Sequence, residues 1–239
     1  MPMNKSSDGG TMSEKNKTVN QSRRNFLVKA GGAALLAGGL ASCNKFGDYF
    51  PHHNGGNGKT VDLGKGDYGI LNYAYALEQL EAAFYTKVIA SPYHGCNDYE
   101  FGLLKDIRDH EVAHREFFKN ALGTNAIKGL EVDFSSINFN SRDSVLSTAK
   151  AFEDLGVSAY NGAGKLIANG AYLTIAGKIV SVEARHAAFI RDLISNGSFA
   201  DSTAIDANGL DMSKNPPDVL AIANTFLKTK VSGNNLPTS

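Results

Sequence analysis

Glu111-Val112-Ala113-His114 and Glu183-Ala184-Arg185-His186 state the same short word twice in one chain. On an α-helix, residues i and i+3 leave the same face, so each word sets a carboxylate beside an imidazole. Each has a glutamate in the helical stretch before it, Glu78 before Glu111 and Glu153 before Glu183. Seven residues after each of those glutamates comes a tyrosine, Tyr85 or Tyr160. Glu-x6-Tyr followed by Glu-x2-His is therefore an internal repeat, and it divides the chain into two similar halves.

Hydrophobic spacing decides which way these side chains point. The first stripe reads Leu71, Tyr75, Glu78, Ala82, Tyr85, Ile89, and the second Leu104, Ile107, Glu111, His114, Phe118, Ala121. The third reads Leu146, Ala149, Glu153, Gly156, Tyr160, Ala163, Ile167, and the fourth Ala176, Ile179, Glu183, His186, Ile190, Leu193. Steps of three and four mark the inward faces of four helices packed as a bundle. Six ligand-type residues then occupy interior positions. Four uncompensated buried carboxylates would cost several kcal/mol each or take up protons. Two divalent cations would balance their charge and use the two imidazoles as nitrogen donors.

Turn and cap signals place the helices at about Asp67 to Ala90, Asp98 to Leu122, Ser141 fading toward Asn169-Gly170, and Ala171 to Ser195. Ser91-Pro92, Gly123 and Asn196-Gly197 supply the stops. Links one to two and three to four are short, giving two antiparallel hairpins. The middle connection, Thr124 to Asn140, is long enough to cross the bundle, and its Glu131-Val132-Asp133-Phe134 has a β-like pattern without an evident partner. A short fifth helix begins at Pro216-Pro217 and extends toward Lys230, docked on the bundle. The expected architecture is all-α.

The chain has 239 residues, 42% of them hydrophobic, enough for a sizeable core. Its 24 basic and 24 acidic residues balance. The basic excess lies in residues 1–43, so the remainder is mildly acidic and offers no footprint for nucleic acid. Ser22-Arg23-Arg24-Asn25-Phe26-Leu27-Val28-Lys29 resembles a twin-arginine export motif, followed by the apolar run Ala30 to Ala41, too short to span a bilayer. Leu40-Ala41-Ser42-Cys43 resembles a bacterial lipobox, which makes Cys43 the expected lipidation site. Met12 is an alternative start. The expected organisation is a lipoprotein signal at 1–43, a tether at 44–66 carrying His52-His53, and a domain at 67–232. The anchor would hold the domain in the cell envelope, on the periplasmic side. Cys96, with His94 nearby, reads as an incidental half-buried thiol rather than a metal ligand.

The run Leu71-Asn72-Tyr73-Ala74-Tyr75-Ala76-Leu77-Glu78-Gln79-Leu80-Glu81-Ala82-Ala83-Phe84-Tyr85, with Asp109-His110-Glu111-Val112-Ala113-His114 and Glu183-Ala184-Arg185-His186-Ala187-Ala188, resembles the exported ferritin-like domain proteins of bacteria. These are similar to a plant desiccation-related protein and, more distantly, to rubrerythrins, bacterioferritins and manganese catalases. The resemblance implies a ferritin-like four-helix bundle around two iron ions, with manganese accepted by the same donors. In it Glu111 and Glu183 would bridge the metals, Glu78 and Glu153 would be terminal ligands, and His114 and His186 would each give a nitrogen. Tyr85 and Tyr160 are the candidate catalytic residues, phenols able to hydrogen-bond a ligand carboxylate. Glu81, one turn from Glu78 and off the stripe, suggests a flanking salt bridge or hydrogen bond.

The implied function is a dinuclear oxidoreductase of the ferroxidase or peroxide-scavenging type, with dioxygen or peroxide as its partner. Twin-arginine export fits, because that route carries folded proteins already loaded with metal. The alternative is a non-catalytic metal-binding or desiccation and stress-protection protein. A dimer is compatible with either. No rubredoxin-like Cys-x-x-Cys pair is present to feed electrons. His110-Glu111-Val112-Ala113-His114 also matches the zinc-protease signature. That reading leaves Glu78, Glu153, Glu183 and His186 without a role, and makes His110 a ligand where the bundle makes it a supporting or surface residue.

Overall fold

In the computed structural model, residues 60–238 are described. The export motif, the lipobox with Cys43, the His52-His53 pair and most of the tether lie outside them. No helix among the described residues is long and apolar enough to cross a membrane.

Four long helices form where the periodicity requires them. They are α1 (Gly66–Ala90), α2 (Asp98–Leu122), α3 (Arg142–Gly164) and α4 (Gly170–Ile194). Their ends follow local chemistry. The Asn97 side chain accepts from the Glu100 N–H, Ser141 from Ser144 and Asn169 from Ala171, each satisfying an orphan donor of a first turn. Gly123, at φ +54°, ends α2 in a region that disfavours residues with a Cβ. Asp67, in the first turn of α1, accepts from the backbone N–H groups of Ala168 and Asn169 and so ties the start of α1 to the α3–α4 link.

α3 stops earlier than expected. After Gly164 the chain tightens into turns, with Leu166 N–H bonded to the Ala163 carbonyl and Ile167 N–H to that of Gly164. The fifth helix is also shorter: α5 covers Pro216–Ala223 and gives way to a 3₁₀ turn at Asn224–Phe226. The Asn224 side chain accepts from Val231 N–H and donates to its carbonyl, while the Lys230 ammonium donates to the carbonyls of Asn224 and Leu227. Side-chain bonds to backbone thus replace the helical ladder.

The C-terminal segment also supplies partners that the sequence leaves open. Val132 forms an antiparallel bridge with Leu227. Asp133 N–H bonds to the Phe226 carbonyl and Lys228 N–H to that of Glu131. At the other end of the chain β1 (Val61–Asp62) pairs in parallel with β2 (Val231–Ser232), and Leu63 is fully buried beside it. Residues 61–64 therefore pack with the domain rather than belonging to a tether that runs to residue 66.

These additions explain the unusual burial of α1, of whose 25 residues 17 are buried. Its inner face meets the bundle. Its outer face carries Asn72, which donates to the carbonyls of Leu63 and Asn125 and accepts from Ile127 N–H, and Gln79, which accepts from Leu130 N–H. Two amides thereby pin the crossover and the N-terminal segment onto one helix. Phe84 packs edge-on against Tyr85, Phe134 and Phe152, and Phe152 does the same with Phe226 at 4.8 Å. Between α3 and α4, Arg191 is 2% exposed and bonds Asp154 through two nitrogens.

The C-terminal segment also approaches α3 closely. Lys214 N–H bonds to the Ser158 carbonyl, and a Cβ at Gly162 would lie 1.7 Å from the Lys214 carbonyl oxygen. Only a backbone shift relieves that overlap. Gly162→Ala is expected to lower the unfolding free energy by about 2 kcal/mol, as overpacking of a tight contact does. Urea denaturation followed by helical circular dichroism checks it, and an unchanged midpoint would show that the segment is not held against α3.

Candidate metal centre

Each helix brings one stretch of its inward stripe to the same level of the bundle. Glu78 comes from α1, Glu111 and His114 from α2, Glu153 from α3, and Glu183 and His186 from α4. All four carboxylates are fully buried and His186 is 5% exposed, while His114 is partly buried. Their donor atoms fall into two groups, Glu78, Glu111, His114, Glu183 and Glu111, Glu153, Glu183, His186. Within each group the atoms lie no more than 4.8 Å apart. Glu111 and Glu183 belong to both.

In both histidines Nδ1 faces the carboxylates. His114 Nδ1 is 2.9 Å from Glu183 Oε1 and 3.4 Å from Glu78 Oε2. His186 Nδ1 is 2.8 Å from Glu111 Oε1 and 3.5 Å from Glu153 Oε2. None of these contacts is aligned as a hydrogen bond. Among the described residues ten buried side-chain nitrogen and oxygen atoms have no hydrogen-bond partner, and eight of them belong to these six residues. Buried polar atoms are ordinarily paired, so a cluster of orphans converging on common points fits a cation. The donor set, carboxylate oxygen with imidazole nitrogen, suits iron, manganese or zinc.

The two tyrosines cross between the halves. Tyr85 of α1 donates to Glu153 Oε1 of α3 at 2.5 Å, and Tyr160 of α3 donates to Glu78 of α1. Each phenol thus holds the lone glutamate of the opposite repeat.

The protons in this cluster follow from burial. Glu78 and Glu111 are raised by burial and by the charge of Glu183, and Glu153 is raised by burial to about 7. Glu183 is also buried, but the two imidazoles facing it, His114 and His186, hold it down to about 2. Burial lowers both imidazoles. The surrounding carboxylates outweigh it, raising His114 to about 12 and His186 strongly as well.

Glu81 departs from the expectation of a salt bridge. It is 3% exposed, and among the described residues no cation pairs with it. Burial, followed by the charges of Glu111, Glu183, Glu153 and Glu78, keeps its carboxyl well above the usual range. Its room comes from α3. A Cβ at Gly156 would lie 3.1 Å from Glu81 Oε1. Gly156 follows Glu153 by the same three residues that separate Glu81 from Glu78, so the repeats differ at this pair, and reading them in register brings the pair to light.

His110 does not converge with His114. Its Nδ1 lies 2.9 Å from His186 Nε2, so it backs one donor of the cluster and belongs to neither group of four. The zinc-protease arrangement is therefore not formed. Cys96 is a free, partly buried thiol outside both groups.

Residues 66–196, more than half of the chain, match the family model described as a ferritin-like domain. With its all-α bundle and this buried carboxylate and histidine cluster, the chain belongs to the ferritin-like domain family. No curated protein matches it.

In the metal-free chain Glu153 and the two imidazoles hold protons more tightly folded than unfolded, so stability present at low pH is lost as pH rises. Glu153 contributes from the unfolded carboxylate range up to about 7, and His114 begins to contribute above the usual histidine value. Glu183, already ionised, adds no change there. The melting temperature of chelator-treated protein is expected to fall by several degrees from pH 5.5 to pH 8. Differential scanning calorimetry checks this, and a rise over that interval would contradict the proton assignment.

Proposed function

We propose that this chain is a di-iron carboxylate oxidoreductase of the cell envelope, of the ferroxidase or peroxide-scavenging type. The observation that carries the reading is the sharing of Glu111 and Glu183 by two four-residue donor groups. Two ions held in these groups would be bridged by the shared glutamates, with Glu78 and His114 completing one site and Glu153 and His186 the other. Bound iron would supply Lewis acidity and one-electron steps toward dioxygen or peroxide. Manganese fits the same donors.

The protein's own contribution is positioning and exclusion of water. Tyr85 and Tyr160 act as positioning residues, fixing the rotamers of Glu153 and Glu78 through their hydrogen bonds. With a metal on the inward Nδ1 of His186, its Nε2 would carry the proton and donate to His110 Nδ1, 2.9 Å away. The leader supports placement outside the cytoplasm: its twin-arginine motif fits export of a folded, metal-loaded protein, and Cys43 fits a lipid anchor.

Elemental analysis of protein from its native host, with Fe(II) oxidation and peroxide consumption assays, tests the reading. About two iron or manganese ions per chain are expected, with loss of both metal and turnover in a Glu111→Ala, Glu183→Ala double variant. Metal bound without turnover would replace the enzyme with a metal-binding or stress-protection protein. One zinc that survives Glu183→Ala would overturn the dinuclear site.

A further inference from the structure

A cavity of about 300 Å³ opens between the second half of α2 and the first half of α4 and reaches inward to α1 and α3. Protein interiors are close-packed, and voids larger than a water molecule are few. This one reaches the lower end of the size range of small-molecule pockets, about 300 to 1,000 Å³. Its space comes from the buried alanines Ala74, Ala159 and Ala163, where larger side chains would close it, with the exposed Ala121 at the rim. Phe117, 39% exposed, stands at its outer edge.

The lining contains no charged residue, which excludes ions and charged molecules as occupants. Its polar possibilities reside in tyrosines. The ring of Tyr160 forms part of the wall while its hydroxyl is committed to Glu78. Tyr73 also lines the cavity and is 1% exposed, and its hydroxyl is buried with no hydrogen-bond partner. A buried hydroxyl left unpaired is costly, and pockets for organic ligands combine apolar walls with a few such groups.

We propose that this cavity is a binding site for a small, uncharged, mainly apolar organic molecule that places one hydrogen-bonding group on the Tyr73 hydroxyl. Dioxygen alone would fill only a small part of the space and would leave Tyr73 unpaired. The occupant sits one side chain, Tyr160, away from Glu78. The site is separate from the metal reading, because none of the six clustered donors lines it.

The test is a fluorescence titration of the purified full chain with N-phenyl-1-naphthylamine, a neutral aromatic probe with one N–H group. Saturable binding of one probe per chain is expected, with a blue-shifted emission. Ala163→Phe and Ala74→Leu fill the cavity from two walls, and each is expected to weaken binding at least about tenfold. Thermal unfolding shows whether each variant folds, and either one that folds suffices for the comparison. Tyr73→Phe is expected to weaken binding severalfold, and unchanged affinity there would overturn the polar anchor. No saturable binding to folded wild-type protein, or full affinity in the filling variants that fold, would overturn the proposal. So would a dimer that Phe117→Glu dissociates and that binds no probe, since the occupant would then be a second copy. Because the readout is probe fluorescence, a negative result leaves metal content unaffected, and the two readings fail separately.

Discussion

Four glutamates cannot all be ionised at one level of a buried bundle unless positive charge meets them there, and much of the structure answers to that constraint. In the metal-free chain the answer is a redistribution of protons. Glu183 keeps its charge because two imidazoles face it, and Glu78, Glu111 and Glu153 are pushed toward the neutral form. Such an arrangement satisfies charge but not hydrogen bonding, which is why the orphaned atoms concentrate in the same six side chains. Desolvation has been accepted without local pairing. Burying a carboxylate this way costs more than an ordinary packed residue at the same position, so the surrounding helices must supply the difference through apolar contact.

That contact comes from outside the four-helix core as much as from within it. Among the described residues α1 carries two of the six buried carboxyls, and it is the helix most completely enclosed. The crossover lies along it, pinned by Asn72 and Gln79, and the C-terminal strand pairs with the strand that enters the domain beside Leu63. A bundle helix with a solvated outer face would leave Glu81 a short path to water. Here that path is closed, and Glu81 is left with Gly156 as its neighbour across the interface.

The doubled Glu-x6-Tyr and Glu-x2-His make the helices, their inward faces and the gathering of six donors legible in the sequence, because periodicity and metal-type spacing are local properties. What could not be read was set by contacts between distant segments. Two-residue strands such as Val61–Asp62 and Val231–Ser232 have no periodicity to detect. Val132 looked unpartnered because its partner, Leu227, sits in a stretch that helical propensity assigned to α5. Glu81 was misread for a related reason: a single stripe defines an inside and an outside, but a helix covered on both faces has no outside. The cavity was hidden in the same way, since alanines on a stripe read as close packing until the opposing residues are known.

The two halves share a pattern but not their surroundings, and this difference accounts for where the cavity lies. Tyr85 and Tyr160 make equivalent bonds to Glu153 and Glu78. Around Tyr85 the crossover and the C-terminal segment bring in aromatic bulk: Phe84 meets the Tyr85 ring edge-on and is itself packed on Phe134 and Phe152. Around Tyr160 the additions are smaller: Phe118 of α2 tilts against its ring at 6.5 Å, and the crossover contributes only Ala126 and Ile127 to that cluster. Its wall is completed by alanines and by the partly buried Tyr172, Ile175 and Ala176 at the start of α4. The crossover gives its phenylalanines, Phe134 and Phe139, to the first pole and smaller side chains, Ala126 and Ile127, to the second. The repeat therefore builds two equivalent poles for the carboxylate cluster, while the connection between the repeats makes one pole solid and leaves the other with room for a guest.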